Sequence, residues 1–211
     1  MRILGIDPGY AIVGYGAVEY RNNRFTPVEY GAIETPAGRA FPLRLEQIYD
    51  EMSGLLTRLQ PEAMAVEKLF FNSNTTTAIE VAEARGVILL AARKQSVPIY
   101  EYTPLQVKQS VTGYGRAEKK QIMEMTRIFL GLEQVPKPDD TADALAMAIC
   151  HAHAAGSMLG RMNLAAAAEA KPRPARRPRT AAERLQKGKE RISPAGPGTA
   201  RPRRNKQSLD L

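Results

Sequence analysis

Four acidic side chains stand where the sequence pattern predicts that strands end or a helix begins. Asp7 closes an apolar run, Glu67 closes a later one, and Asp140 and Asp143 lie three residues apart in the first turn of a predicted helix. Residues three apart share one face of a helix, so the last two would project together. Clustered carboxylates need a cation to offset their repulsion, and their oxygens select Mg²⁺ or Mn²⁺ over zinc. The four acids together predict a divalent-metal site.

Such a site has a well-defined chemistry. Two ions about 3.5–4 Å apart activate a water molecule and stabilise the leaving oxygen during in-line attack on a phosphodiester. We therefore expect metal-assisted phosphodiester hydrolysis.

Each acid also has an ordinary structural interpretation when it is taken singly. Asp7 precedes Pro-Gly and suits a turn, while Glu67 suits an exposed strand end. Asp139, Asp140 and Asp143 suit an N-cap and a first helical turn, where acids complement the helix dipole. Only the joint placement of the acids favours the metal site.

The elements that must position these acids can be predicted from apolar periodicity. Strands are expected over residues 2–6, 11–20 and 25–35, an amphipathic helix over 41–59, and a fourth strand over 62–71. The strand–helix–strand order implies a right-handed crossover and parallel pairing of the fourth strand. The first and fourth strands would then be neighbours, with Asp7 and Glu67 at adjacent ends.

The second half of the predicted domain alternates helices with one more strand. We expect a helix from about 75 to 95, a strand over 97–102, a short helix ending at Gly113, a helix over 117–130 and a last helix from 139 to about 159. The predicted fold class is α/β, with a mixed five-stranded sheet flanked by helices. Three of its strands are antiparallel and two are parallel.

The charge of the chain is concentrated in its last 41 residues. The 211-residue sequence has 30 Lys and Arg against 22 acids, and residues 171–211 hold 13 of these bases and only 3 of these acids. Residues 1–170 therefore have a net charge of −2. We predict a folded domain over 1–160 and a disordered basic tail over 161–211 that binds DNA without sequence preference.

Composition also indicates the compartment. The single cysteine, Cys150, excludes an internal disulfide and fits a reducing cytosol. The first apolar run is broken at Asp7, which argues against a signal peptide, and no segment has eighteen consecutive apolar residues. We expect a cytoplasmic protein that does not span a membrane.

Five motifs in the same order carry a resemblance to a known family. They are ILGIDPG at 3–9, AVEKLF at 65–70, ARGV at 84–87, VKQSVTGYGRAEKKQ at 107–121 and DDTADALAMAI at 139–149. Together they resemble the RuvC family, the bacterial Holliday-junction resolvases of the retroviral-integrase and RNase H superfamily. The resemblance implies an RNase H-like fold for the predicted domain and ends well before the basic tail.

The resemblance implies a homodimeric endonuclease that acts in DNA recombination and repair. Such an enzyme uses Mg²⁺, with Mn²⁺ as a substitute and two ions per site, to nick two strands of like polarity symmetrically across a four-way junction. It acts with the branch-migration proteins RuvA and RuvB. By position, Asp7, Glu67, Asp140 and Asp143 match the family's catalytic acids and metal ligands, and Asp139 is an additional acid that offers an alternative ligand.

The same motifs assign residues that contact DNA. Phe70 matches an aromatic residue that stacks on unpaired bases, and Lys108 and Lys119 match basic residues near the scissile phosphate. Arg116 and Lys120 flank the same glycine-rich loop and are expected to contact DNA as well. The alternatives are a core position for Phe70 and a solvated helix face for the lysines. The helix from about 75 to 95 corresponds to the family's dimer-forming region.

Two other functions stay open at this point. Phosphotransferases of the actin and sugar-kinase type also begin with a hairpin carrying Asp-x-Gly, but they need a second such hairpin, and none follows here. A non-catalytic DNA-binding protein of the same fold would not need four acids, since they oppose phosphate binding without a metal.

Overall fold

The computed structural model describes residues 1–68 and 75–156 of the chain. The described elements are the strands β1 (Arg2–Asp7), β2 (Ile12–Arg21), β3 (Arg24–Glu34), β4 (Ala63–Glu67) and β5 (Ile99–Tyr102), and the helices α1 (Phe41–Leu59), α2 (Thr75–Lys94), α3 (Pro104–Thr112), α4 (Lys119–Leu130) and α5 (Asp139–Gly156).

The strands form one mixed sheet in the order β3-β2-β1-β4-β5. Strands β1, β2 and β3 are antiparallel to their neighbours, whereas β4 pairs in parallel with both β1 and β5. This arrangement confirms the predicted sheet of three antiparallel strands followed by two parallel ones. It also confirms that the first and fourth strands are adjacent, as the crossover through α1 requires.

Most predicted elements are present, with shifted ends. Strand β4 ends at Glu67, earlier than the predicted end at residue 71. Helix α4 begins at Lys119, two residues later than predicted, because Glu118 is its N-cap. The Glu118 and Gln121 side chains complete a capping box there, so the first turn is closed by side chains from within the segment.

The sheet lies between two layers of helices, each with its own apolar core. On one face, Leu4 and Ile6 of β1 belong to a cluster with buried residues of α1 and α2, such as Met52 and Ile88. On the other face, Ile3 belongs to a cluster with buried residues of α3, α4 and α5. Side chains of β1 alternate between the two cores, which explains why this central strand is apolar throughout.

Helix α5 lies unusually close to the sheet because glycines face it. A Cβ atom added to Gly5 would lie 1.9 Å from the Ala144 carbonyl oxygen, and one added to Gly14 would lie 2.0 Å from the Asp140 carbonyl oxygen. These distances are far below any van der Waals contact, so only glycine permits this approach. Gly5 and Gly14 therefore determine how near the acids of α5 come to β1.

The predicted tail and the end of the predicted last helix cannot be compared with the described residues. The predicted tail over 161–211 and the last three residues of the predicted final helix lie outside them, so the domain boundary stays a prediction. Within the described part of the chain, no helix combines the length and apolarity needed to cross a membrane.

Replacing Gly5 tests the close packing of α5. We expect Gly5→Ala to lower the free energy of unfolding by about 1–3 kcal/mol or more, because α5 must shift away from the added methyl group. Gly54, an exposed residue inside α1, is the matched control, since nothing lies within 4 Å of an added Cβ. Gly54→Ala should raise stability by about 0.5–1 kcal/mol. Equal stabilities of the two variants in urea unfolding would contradict the proposed packing constraint.

Candidate active site

Three of the four predicted acids line one pocket. Asp7, Glu67 and Asp143 face a cavity of about 210 Å³ together with Lys108 and Lys119. The rest of its wall is mainly apolar and comes from α3, α4 and α5: Pro104, Val107, Ile122, Ala146 and Met147. Acids from three separate elements therefore meet in a partly enclosed space beside two cationic side chains.

Parallel pairing of β1 and β4 brings the first two acids together. Ile6 is the register partner of Val66, so the next residues, Asp7 and Glu67, leave neighbouring strands at the same edge of the sheet. The Glu67 carbonyl oxygen accepts a hydrogen bond from Arg85 Nε of α2 at 3.2 Å. Arg85, which also pairs with Glu101, therefore anchors the end of β4.

Asp140 lies beside this pocket and is absent from its lining. A Cβ atom added to Gly14 would lie 3.0 Å from Asp140 Cβ, and Gly14 is the β-sheet partner of Asp7. The Asp140 carboxylate is close enough to disfavour ionisation of Asp7. The other three predicted acids thus surround Asp7: Glu67 and Asp143 line the same pocket, and Asp140 lies at its flank.

Burial and mutual repulsion raise the pKa values of the pocket acids. The pKa of Asp7 rises to about 7, first because the carboxyl group is buried and then because Glu67, Asp143 and Asp140 repel its charge. Burial is also the main cause of the raised pKa values of Glu67 and Asp143. A bound cation would lower all three pKa values, so the site is electrostatically suited to a positive ion.

Lys119 provides part of that positive charge. Its Nζ lies 2.9 Å from Asp143 Oδ2 and 3.7 Å from Asp139 Oδ2. The hydrogen bond to Asp143 is the main reason that the pKa of Lys119 is raised. Asp139 is directed instead toward Lys137, whose Nζ lies 2.7 Å away and whose hydrogen bond lowers the pKa of Asp139. Asp139 is therefore paired mainly with Lys137, which lies outside the pocket lining, and more distantly with Lys119.

The donor set fits a hard divalent cation, although the side chains are not drawn together around one. In residues 1–68 and 75–156, no three Asp, Glu, His or Cys side chains converge closely enough to hold a metal ion. The pocket offers carboxylate oxygens and no thiolate or imidazole ligand, which suits Mg²⁺ or Mn²⁺. These acids come from two strand ends and one helix, so their side chains would have to turn toward one point to close a ligand shell.

The predicted DNA-binding residues are distributed around the pocket. Lys108 and Lys119 line the pocket, Arg116 is exposed in the loop between α3 and α4, and Lys120 lines a neighbouring groove. Phe70 lies outside the described residues, so its stacking role stays a prediction.

A buried cluster of aromatic and imidazole side chains packs next to the strand end that carries Glu67. No sequence pattern predicts it. His151 of α5 is 1% exposed, and its Nδ1 lies 2.7 Å from the hydroxyl group of Tyr102. Tyr102 is the register partner of Glu67, and its carbonyl oxygen accepts the Lys68 amide. His153 contacts Ser110 of α3 in a similar way. His151 therefore ties α5 to β5, the strand that pairs with the Glu67 end of β4, and His153 ties α5 to α3, which carries Lys108.

The sequence offered little signal for these contacts. The partners are 49 and 43 residues apart, and His151 and His153 look like ordinary helix residues in the sequence. Only the packing of α5 against β5 and α3 brings them into contact.

A mixed five-stranded sheet with acids at the ends of β1 and β4 and on the last helix defines an RNase H-like nuclease. A model of the family described as crossover junction endodeoxyribonuclease RuvC matches residues 3–151. The chain therefore belongs to the RuvC family, whose members are metal-dependent nucleases that hydrolyse DNA.

Individual relatives and solved structures agree with this assignment. The chain is 62% identical over 152 residues to the crossover junction endodeoxyribonuclease RuvC of Brevibacillus brevis, an alignment covering 72% of this chain and 92% of the relative. It is similar to Thermus thermophilus RuvC, with 37% identity and a TM-score of 0.69 over 77% of this chain and 97% of that one.

A second solved structure contains substrate. Thermus thermophilus RuvC in complex with a Holliday junction substrate is 35% identical, with a TM-score of 0.68 over 74% of this chain and 95% of that one. These comparisons do not favour the phosphotransferase or the non-catalytic DNA-binding protein as alternatives. The matched family region ends at residue 151, before the predicted tail.

Burial of His151 predicts acid-sensitive stability. Burial lowers the pKa of His151 from 6.5 to about 4, so the unfolded chain binds a proton between these pH values that the folded chain excludes. The contribution of neutral His151 to the free energy of unfolding is fully present above pH 6.5. It falls by about 3 kcal/mol as the pH decreases toward 4. His151→Gln removes this titration, so its free energy of unfolding should decline less from pH 7 to pH 4.5. Equal declines in urea unfolding would contradict a neutral, buried His151.

Proposed function

We propose that this protein resolves Holliday junctions by metal-dependent hydrolysis of phosphodiester bonds in two strands of like polarity. The observation that carries the proposal is the meeting of Asp7, Glu67 and Asp143 in one pocket beside two lysines. Family membership supports the same activity, and a relative whose structure contains a Holliday junction supports the four-way junction as substrate.

The metal ligands in this proposal are Asp7, Glu67 and Asp143, with Asp140 at the flank. Bound Mg²⁺, with two ions per site, would supply water activation and stabilisation of the leaving oxygen. The protein holds Asp7 and Glu67 on adjacent strands, so that their carboxylates are preorganised. Lys119 neutralises Asp143 in the absence of a metal, and its exposed ammonium group can turn to a phosphate when cations bind.

Lys108 and Lys119 neutralise the scissile phosphate in this arrangement. Both line the same pocket as the acids, one from α3 and one from the first turn of α4. A capping box at Thr103 and Gln106 fixes the start of α3, which makes the position of Lys108 definite. Arg116 extends the basic surface along the intervening loop.

Symmetric cleavage requires two copies of the site, and we propose a homodimer formed through α2. Ile79, Gly86 and Leu90 lie on one face of α2, since they are spaced seven and four residues apart. Ile79 is 65% exposed and Leu90 is 54% exposed, and nothing lies within 4 Å of a Cβ added to Gly86. Glu83 shares this face and is exposed, but the two exposed apolar side chains with a small residue between them suit a two-fold contact with a second copy.

Further proposals are not tested by the described residues. The family resemblance supports base stacking by Phe70 and action with RuvA and RuvB. Charge and composition support a cytoplasmic location and a DNA-binding tail over 161–211. Each extends the nuclease proposal, and none of them is needed for it.

Junction cleavage tests the proposed reaction. With Mg²⁺, the protein should introduce paired nicks into a synthetic four-way junction and leave linear duplex of matching sequence largely uncut. Asp7→Asn should abolish nicking and preserve junction binding, because it removes a metal ligand and leaves the lysines in place. The same variant should be more stable than the parent without metal, by about 1 kcal/mol or more, since repulsion and the burial of a charge are both relieved. Equal cleavage of linear duplex, or full activity of Asp7→Asn, would overturn the proposal.

Dimerisation can be tested separately on the exposed face of α2. Leu90→Glu should shift the protein from dimer to monomer in sedimentation equilibrium, because it places two carboxylates at the contact. Leu43→Glu is the matched control, since Leu43 is 46% exposed on α1. Its dimer should persist. A Leu90→Glu variant that remains dimeric would exclude this face as the interface.

A further inference from the structure

A second cavity lies one helical turn away from the acidic pocket. It is a groove of about 390 Å³ between α3 and α4, lined by Thr112, Tyr114, Lys120, Gln121, Glu124 and Met125, and is called here the α3–α4 groove. Lys108 lines the acidic pocket, and Thr112, four residues later on α3, donates a hydrogen bond to the Lys108 carbonyl oxygen at 2.8 Å. Of the two neighbouring lysines at the start of α4, Lys119 lines the acidic pocket and Lys120 lines the α3–α4 groove.

The charges at this groove favour an anion. After the N-cap Glu118, the first turn of α4 contains Lys119 and Lys120 and no acid, although the helix dipole makes cations unfavourable at a helix N-terminus. Lys119 pairs with Asp143 in the acidic pocket. Among the described residues Lys120 has no such ion pair, so its charge is available to a ligand. The nearest acid of the groove, Glu124, is held by Arg127 at 2.6 Å.

The wall of the groove offers an aromatic surface beside that charge. Tyr114 is 48% exposed, and its hydroxyl group donates to Gln121 Oε1 at 2.8 Å, which fixes the ring against α4. The flanking residues hold the loop in place: Gly113 adopts a left-handed φ of 83°, and a Cβ added to Gly115 would lie 2.4 Å from Leu105 Cδ1. Met125 supplies a second apolar surface in the groove.

A half-exposed aromatic ring next to a free ammonium group is the combination that binds a nucleotide. We propose that the α3–α4 groove binds one nucleotide of the junction strand next to the scissile phosphate. Its base stacks on the Tyr114 ring, and its phosphate is neutralised by Lys120. The inference rests on the proposed nuclease function and adds a subsite that selects and holds the strand to be cut.

Abasic junctions test stacking at this subsite. The substrates are a set of four-way junctions. Each of them lacks a single base, and the position of the missing base varies within three nucleotides of the scissile phosphate. The parent protein should lose about 5- to 150-fold in kcat/KM at one of these positions, the range expected from the loss of one stacked base. Tyr114→Ala should lose a similar factor on the intact junction and show no further loss at that position. Tyr114→Phe keeps the ring and loses only the hydrogen bond to Gln121, so it should retain most of the parent's kcat/KM on the intact junction.

Matched variants and salt dependence complete the test. Tyr30→Ala is the aromatic control, because Tyr30 is 42% exposed on β3 and lies outside both cavities. Lys120→Gln should reduce the slope of log affinity against log salt by about 1, whereas Arg24→Gln, at the far end of the sheet, should leave it unchanged.

The outcomes separate the subsite from the nuclease function. Ring stacking would be overturned if the loss in kcat/KM from Tyr114→Ala simply added to the loss from the missing base at every abasic position. It would also be overturned if Tyr114→Phe lost as much kcat/KM as Tyr114→Ala. An unchanged salt slope for Lys120→Gln would overturn the phosphate contact. In each case the parent protein would still cut the intact junction. Failure of the parent to cut it would instead overturn the proposed function.

Discussion

The close approach of α5 to the sheet is the constraint on which the rest of the site depends. The Ala144 carbonyl oxygen and the amide nitrogen of Ala148 would both clash with any side chain at Gly5, and the Asp140 backbone would clash with one at Gly14. These close contacts set the distance between the first turn of α5 and the strands of the sheet. Because Gly14 pairs with Asp7, the approach that packs α5 also brings Asp140 against the strand end that carries the central acid.

The same packing creates an electrostatic problem that the fold only partly relieves. Asp7, Glu67 and Asp143 all have raised pKa values, mainly because the apolar wall removes water from them. Lys119 relieves Asp143, but the described residues place no comparable partner at Asp7. The site therefore has an unmet preference for positive charge at its centre. Functional sites often violate the rules of stable packing in this way, and here the violation matches the need for a cation.

Much of this arrangement could be predicted from local patterns, and the exceptions have physical causes. The 3.6-residue periodicity of Phe41–Leu59 gave both ends of α1, and the crossover rule placed Glu67 beside Asp7. Helix spacing could not distinguish Asp143, which lines the pocket, from Asp140, which flanks it, because that difference depends on how α5 is rotated above Gly14. The contact between Tyr102 and His151 joins residues 49 apart, and no local pattern encodes it.

The chain order of the site has a consequence for biosynthesis. Asp7 emerges early from the ribosome, whereas the helix that covers it and supplies Asp143 belongs to the last described element. Asp7 and Asp143 are 136 residues apart in the sequence, so the pocket that they share forms late and raises the contact order of the domain. A nascent chain that has folded its sheet and first helices still lacks one wall and one acid of the pocket. The acidic pocket is therefore complete only when synthesis of the domain is nearly finished.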